Sequence, residues 1–157
     1  MEIYAVKING LDHPMGFDFE HLLCSWKVRN NRGKKQTQAK IQVAQDEKMS
    51  EVIWEKEGGL DSLGTVMEFS MKPYTRYYYQ ITVHSDEEEE AKSEVQYFET
   101  AKLEEPWTAK WLGVRGEDTH PEFRRNFSIT KEVKSARLYI CGLGIFEAYL
   151  GGKKIGN

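Results

Sequence analysis

No stretch of this chain stays apolar long enough to cross a membrane as a helix. Positive charge is not in excess either. Twenty-two lysines and arginines stand against 25 aspartates and glutamates, a net charge of −3. That balance leaves no basic stripe, so neither nucleic acid nor an anionic membrane is expected as a partner. Cysteine occurs only twice, at Cys24 and Cys141. Two cysteines do not make a disulfide scaffold, and the expectation is a pair of buried, reduced thiols in separate modules. No secretory leader is expected within these residues, because Met1 runs within two residues into the strand pattern Ile3-Tyr4-Ala5-Val6-Lys7-Ile8. An exported form would have lost its signal before this numbering begins. No long segment repeats its apolar residues at the helical period of about 3.6, so almost no helix is expected.

The signatures of chemistry are equally sparse. The four histidines, His13, His21, His84 and His120, lack metal-ligand spacing. There is no H-E-x-x-H and no paired-cysteine motif. No G-x-S-x-G elbow occurs. Gly142-Leu143-Gly144 opens no helix and reads as a bend in a β meander, not as a phosphate loop. No catalytic, cofactor-binding or metal-binding residue is assigned, and no cofactor is expected.

What the chain does have is aromatic residues: eight Tyr, seven Phe and four Trp. With 39% hydrophobic and 30% charged residues, it can bury a folded core. The apolar residues alternate with polar ones, as in half-buried strands. Tyr4, Val6 and Ile8 alternate; Leu22, Cys24, Trp26 and Val28 share a face; Ala39, Ile41 and Val43 do likewise. Asn30-Asn31-Arg32-Gly33 is a turn. Short strands are expected at Val52-Ile53-Trp54, over 65–70 and over 94–100. Tyr77, Tyr79, Ile81 and Val83 give the strongest alternation. Met71-Lys72-Pro73-Tyr74-Thr75-Arg76-Tyr77 reads as a tyrosine corner. Pro73 fixes φ and stops the preceding strand. The Tyr77 hydroxyl then returns to the backbone a few residues upstream. About seven strands with turns between them predict an all-β, immunoglobulin- or fibronectin type III-like sandwich over residues 1–101.

Residues 102–106, closed by Pro106, are a charged linker. A second β module is expected over 107–157, with about four strands. Ala136, Leu138 and Ile140 alternate within it, and Gly151-Gly152 turns a hairpin. Four strands leave a sheet face uncovered, so this module is expected to be incomplete and to continue past residue 157.

A few residues invite a functional reading. The run Asp86-Glu87-Glu88-Glu89-Glu90 suggests calcium, but five consecutive acids read more simply as a solvated hairpin tip. Glu147 is the carboxylate nearest a candidate sugar-facing hairpin, and it reads as a structural or solvated acid. Trp54, Trp107 and Trp111 could stack on pyranose rings, while the simpler reading is packing.

The motifs in order resemble the opening of bacterial α-L-rhamnosidases. His13-Pro14-Met15-Gly16-Phe17-Asp18 with Cys24-Ser25-Trp26 is similar to their P-x-G-x-D … S-W. Tyr77-Tyr78-Tyr79-Gln80-Ile81 is similar to Y-x-W-x-V, with Tyr79 in the Trp position and Gln80 where Arg is usual. Phe98-Glu99-Thr100 resembles the F-x-T exit. Trp107 and Trp111-Leu112 resemble W-x-A-x-W-I. Phe123-Arg124-Arg125-Asn126-Phe127 resembles F-R-K-x-F. Ala136-Arg137-Leu138-Tyr139-Ile140 with Gly142-Leu143-Gly144 resembles A-R-L-Y-I-x-G-L-G. Tyr149 through Gly156 resembles Y-x-N-G-K-K-V-G, with Gly151 replacing Asn.

The resemblance implies a fibronectin type III-like module followed by the start of a jelly-roll domain of carbohydrate-binding type. It also implies a secreted or periplasmic setting. Hydrolysis of terminal α-L-rhamnose, with inversion, would then belong to an (α/α) barrel further along the polypeptide. The catalytic carboxylates would lie in that barrel, and no position here receives them. The expected partners are that downstream barrel and a rhamnose-containing carbohydrate. The alternatives are a stand-alone sugar-binding or adhesion module, and the N-terminal part of a β-galactosidase-like glycosidase.

Overall fold

The structure is a computed structural model that describes residues 1–116 and 120–156. It divides into two compact units, Met1–Thr108 and Ala109–Asn157. The described residues form strands and turns, and no helix among them is long and apolar enough to cross a membrane.

The first unit runs β1 (Glu2–Ile8), β2 (Met15–Phe17), β3 (Leu22–Arg29), β4 (Gln36–Ala44), β5 (Val52–Gly58), β6 (Thr65–Met67), β7 (Arg76–Ser85), β8 (Glu90–Lys92) and β9 (Gln96–Thr100). One sheet has the order β1-β3-β6. The other has the order β2-β9-β7-β4-β5, with β8 also pairing β7. Their inner faces meet in one core. Val6, Ile8, Leu22, Cys24, Trp26 and Met67 come from the first sheet; Ala39, Ile41, Val43, Tyr77, Tyr79, Ile81, Val83 and Phe98 come from the second. Period-two alternation produces this division, since each strand sends every second side chain inward. The β4–β7 register sets Ile41 against Ile81 and Val43 against Tyr79, so the inward rows of the two strands coincide. The buried indole of Trp26 is satisfied as well. Its N–H donates to Gln36 Oε1 at 3.1 Å, and Gln36 Nε2 donates to the Leu60 carbonyl at 2.7 Å.

Three local features differ from the sequence reading or add to it. First, Tyr4 does not share the inward face of Val6 and Ile8. The β1–β3 register skips one residue between Tyr4 and Lys7, and Ala5 sits at φ 48°. This bulge moves Tyr4 outward, where the Arg29 guanidinium lies 5.0 Å from its ring centre, and Ile3 packs on the core instead. Second, the turn at 30–33 is a crossover. It carries the chain from β3 in one sheet to β4 in the other. Third, the strand expected over 94–100 forms as β9, and a further short strand, β8, precedes it; both pair with β7.

The corner forms as its sequence dictates. The Lys72 N–H donates to the Tyr77 hydroxyl at 2.8 Å. Thr100 reinforces it: its hydroxyl donates to the Lys72 carbonyl at 2.7 Å and accepts the Thr75 N–H at 2.9 Å. The Tyr74 N–H donates to the Ala101 carbonyl at 2.9 Å, which ties the exit of β9 to the same corner.

In the second unit, β10 (Ala148–Leu150) and β11 (Lys153–Ile155) pair antiparallel. Gly151 and Gly152 take φ of 57° and 80°, the positive pair that a two-residue type I′ turn needs. Among the described residues these are the unit's strands, fewer than the four expected. Ala136–Ile140 alternates as a strand would but belongs to neither of these strands. Large apolar side chains face solvent: Trp111 is 68% exposed and Leu143 is 89% exposed. Cys141 is therefore exposed, against the expectation of two buried thiols, because nothing in this unit encloses it. Cys24 is buried, and burial pushes its thiol up to about 12.

Candidate functional site

The residues singled out from sequence are not gathered into one place. Trp54 is half-buried on β5, with its ring 6.2 Å from that of Phe69 and packed on the core. That is a packing role. Trp107 is 54% exposed, and the Lys102 ammonium lies 5.6 Å from its ring centre. Trp111 is exposed too, but it belongs to the second unit. Trp107 and Trp111 thus keep exposed ring surface.

Glu147 enters β10, and its carboxylate is occupied by its own hairpin. Oε2 accepts the Tyr149 hydroxyl at 2.7 Å, and Oε1 pairs with Lys154 Nζ at 2.6 Å. Lys154 first, then Tyr149, hold the carboxyl below the usual carboxylate range. A carboxylate kept ionised in this way is the opposite of a general acid, whose pKa must be raised.

The acidic run forms the exposed tip between β7 and β8, and two of its acids do more than face solvent. Asp86, Glu87 and Glu88 are exposed and Glu89 is half-buried, and the carboxylates of Asp86 and Glu89 turn back onto the 32–35 arch. Asp86 Oδ1 accepts the N–H groups of Lys34 at 2.9 Å and Lys35 at 3.2 Å. Glu89 Oε2 accepts those of Arg32 at 2.8 Å and Gly33 at 3.3 Å. The two acids therefore satisfy four successive backbone donors where the chain crosses between sheets. The N–H groups of Arg32 and then Gly33 hold the Glu89 carboxyl below its ordinary value. The approach is close enough to require glycine, since a Cβ at Gly33 would lie 2.5 Å from Asp86 Oδ1 and 2.8 Å from Ser85 Cβ. The sequence carried a signal for this: the basic arch Arg32-Gly33-Lys34-Lys35 is complementary in charge to the acidic tip.

Two surface hollows of the first unit are small. One, between β1 and the β8–β9 connection, has a volume of about 180 Å³ and is lined by Tyr4, Asp12, Glu94 and Gln96 among others. It contains two carboxylates, but Asp12 is paired with Lys7 at 3.1 Å. The volume is also below the roughly 300 Å³ at which small-molecule sites begin. The other, about 190 Å³, lies beside the 31–36 arch. Among the described residues no three His, Cys, Asp or Glu side chains are grouped to hold a metal ion.

On the outer face of the larger sheet, Arg76, Glu99, Tyr97 and His13 form a compact polar and aromatic group. Arg76 Nη2 lies 3.0 Å from Glu99 Oε2, and Glu99 is only 6% exposed. The Arg76 guanidinium lies 4.4 Å from the Tyr97 ring centre, and the His13 ring stacks on Tyr97 at 4.4 Å. The Glu99 N–H donates to the Pro14 carbonyl at 2.9 Å. The group fastens the 12–17 segment to β9, and its ring faces are occupied by one another.

Comparison with known proteins identifies the arrangement. Residues 131–157 match the α-L-rhamnosidase N-terminal domain. An α-L-rhamnosidase of Formosa agariphila is 29% identical over all of this chain, which spans 20% of that protein's length. An α-L-rhamnosidase of Alteromonas sp. (strain LOR) is 26% identical over 93% of this chain and 18% of its own. The chain thus spans about a fifth of these curated relatives. Among solved structures, the Streptomyces avermitilis α-L-rhamnosidase complexed with L-rhamnose superposes with a TM-score of 0.66 at 22% identity, over 73% of this chain and 12% of that one. At that identity the likeness concerns the fold. Residues 3–104, the whole sandwich, match the Rha78A-like N-terminal immunoglobulin domain, and the chain belongs to that family.

Proposed function

We propose that this chain is a non-catalytic N-terminal part of a glycoside hydrolase acting on terminal α-L-rhamnose, and that its work is to scaffold the catalytic part. The observation that carries the reading is its end-to-end alignment with one-fifth of a curated α-L-rhamnosidase. The small hollows and the charge-paired Glu147 agree with a supporting role. The downstream barrel of the same polypeptide is the partner in this reading. Deleting residues 1–108 from the longer protein tests it. A scaffold predicts lower thermal stability or soluble yield, with kcat on an aryl α-L-rhamnoside preserved in the fraction that folds. Loss of kcat in a fully folded deletion protein contradicts it.

A carbohydrate-positioning role is the finer proposal, and it rests on the exposed rings of Trp107 and Trp111. Titration calorimetry of the chain with L-rhamnose distinguishes the two. Saturable heat that is lost on Trp107→Ala or Trp111→Ala supports positioning. Absence of heat leaves scaffolding alone.

A further inference from the structure

The turn that follows β1 carries a chemical liability and its own restraint. Asn9 and Gly10 are its two central residues, both exposed, with φ of 50° and 78°. Ile8 and Leu11 exchange both backbone hydrogen bonds across the turn, at 3.1 and 2.9 Å. The chain has five asparagines, and only Asn9 precedes a glycine. Glycine has no Cβ to shield its backbone nitrogen. That nitrogen is the nucleophile in asparagine deamidation, a known thermolability of this residue.

Asn9 is not free to react in the folded turn. Its Nδ2 donates to the His21 carbonyl at 2.8 Å, and its Oδ1 accepts the Leu23 N–H at 2.7 Å. Its backbone N–H donates to the Leu23 carbonyl at 2.8 Å. Three bonds therefore pin this residue to the start of β3, extending the β1–β3 ladder by a side chain. For Gly10 N to reach Cγ, both side-chain bonds must open.

We propose that Asn9 is a deamidation site that the fold holds closed, and that its conversion releases the turn from β3. In the opened turn the Gly10 nitrogen attacks Asn9 Cγ. A C–N bond forms, and the side-chain nitrogen leaves as ammonia with the proton from Gly10. Water then opens the cyclic imide at one carbonyl or the other, leaving aspartate or isoaspartate. Water enters, ammonia leaves, and nothing is oxidised or reduced. Aspartate lacks the Nδ2–H donor and sets a carboxylate oxygen against the His21 carbonyl. Isoaspartate moves the backbone through the side chain and breaks the turn. The segment released, residues 10–20, carries β2 and the Pro14 carbonyl that accepts from Glu99.

Peptide mapping of the full chain tests this after incubation at mildly alkaline pH, in native buffer and in denaturing urea. Trypsin yields the peptide Ile8–Lys27, in which Asn9 is the only asparagine. The expected result is replacement of NH₂ by OH in that peptide, roughly tenfold to a hundredfold slower in native buffer, as two net hydrogen bonds of protection imply. Equal rates in the two conditions overturn the proposal, as does earlier conversion at Asn30, Asn31 or Asn126. The product's effect is read from Asn9→Asp, expected to melt roughly 4–8 °C lower. Asn9→Gly keeps a residue suited to positive φ and must show no mass change in that peptide under either condition. An unchanged melting temperature for Asn9→Asp contradicts the latch.

Discussion

The hydroxyl of Tyr77 accepts the backbone N–H of Lys72 across the corner between the two sheets, at 2.8 Å. The Tyr77 ring is fully buried and stacks on Phe98 with centres 5.5 Å apart, so the hydroxyl cannot turn to another partner without moving the core. Tyr77→Phe leaves the Lys72 N–H without its acceptor. The expected cost is about 1–3 kcal/mol, seen as a lower denaturation midpoint with an unchanged m-value. No change in midpoint contradicts the assigned corner.

The same substitution two residues on has the opposite sign. Tyr79 is equally buried, yet its hydroxyl has no hydrogen-bond partner among the described residues. Burial pushes that hydroxyl far above its ordinary value, and nearby Cys24 and Asp12 add to the shift. Tyr79→Phe removes a desolvated, unpaired group and keeps the ring. It is expected to stabilise by about 1 kcal/mol. A loss comparable to that of Tyr77→Phe requires a partner that the geometry does not provide.

Ala5 holds φ 48° in the β1 bulge. An L-residue pays roughly 1 kcal/mol for that conformation and glycine does not. Ala5→Gly is therefore expected to raise stability by about 1 kcal/mol in urea denaturation. Destabilisation contradicts a bulge centred there.

The acid side of the stability curve depends on the interlock between the arch and the acidic tip. The folded-state pKa of Glu89 is depressed below 4.5 by the N–H groups of Arg32 and Gly33. Its contribution is thus fully present above that ordinary value and is lost as pH falls through the folded value. Glu89→Gln is expected to be less stable than the parent at neutral pH, with the gap closing under acid. Melting curves at several pH values check this, and a gap that is constant with pH contradicts it. Asp46 behaves similarly. The N–H of Glu51 and the contacts of Ser50 and Lys48 hold its carboxyl down, so it adds to the same acid-sensitive slope.

The sandwich was legible wherever alternation and burial agree. β3, β4 and β7 bury the residues that their sequence marks as apolar, and Pro73 with Tyr77 announces the corner. Tyr4 misled because a bulge changes the face of a strand without changing its composition. The contact of Asp86 and Glu89 with the arch was not legible because its N–H donors lie more than fifty residues away, and local pattern carries no information on such a contact. Ala136–Ile140 has the alternation of a strand but forms none, since a ladder is a property of two segments and alternation of one. No site was legible from local chemistry: Glu147 is absorbed by Tyr149 and Lys154, and Trp54 by the core. The family followed from the order of weak motifs along the chain, and it is shown by the match over residues 3–104.

The proposed scaffold role places rhamnoside chemistry outside this chain. The most direct test is to purify residues 1–157 to homogeneity and incubate them at high concentration with an aryl α-L-rhamnoside. The account predicts no release of the aryl group above a buffer blank. Turnover that co-purifies with the chain and scales with its concentration contradicts it.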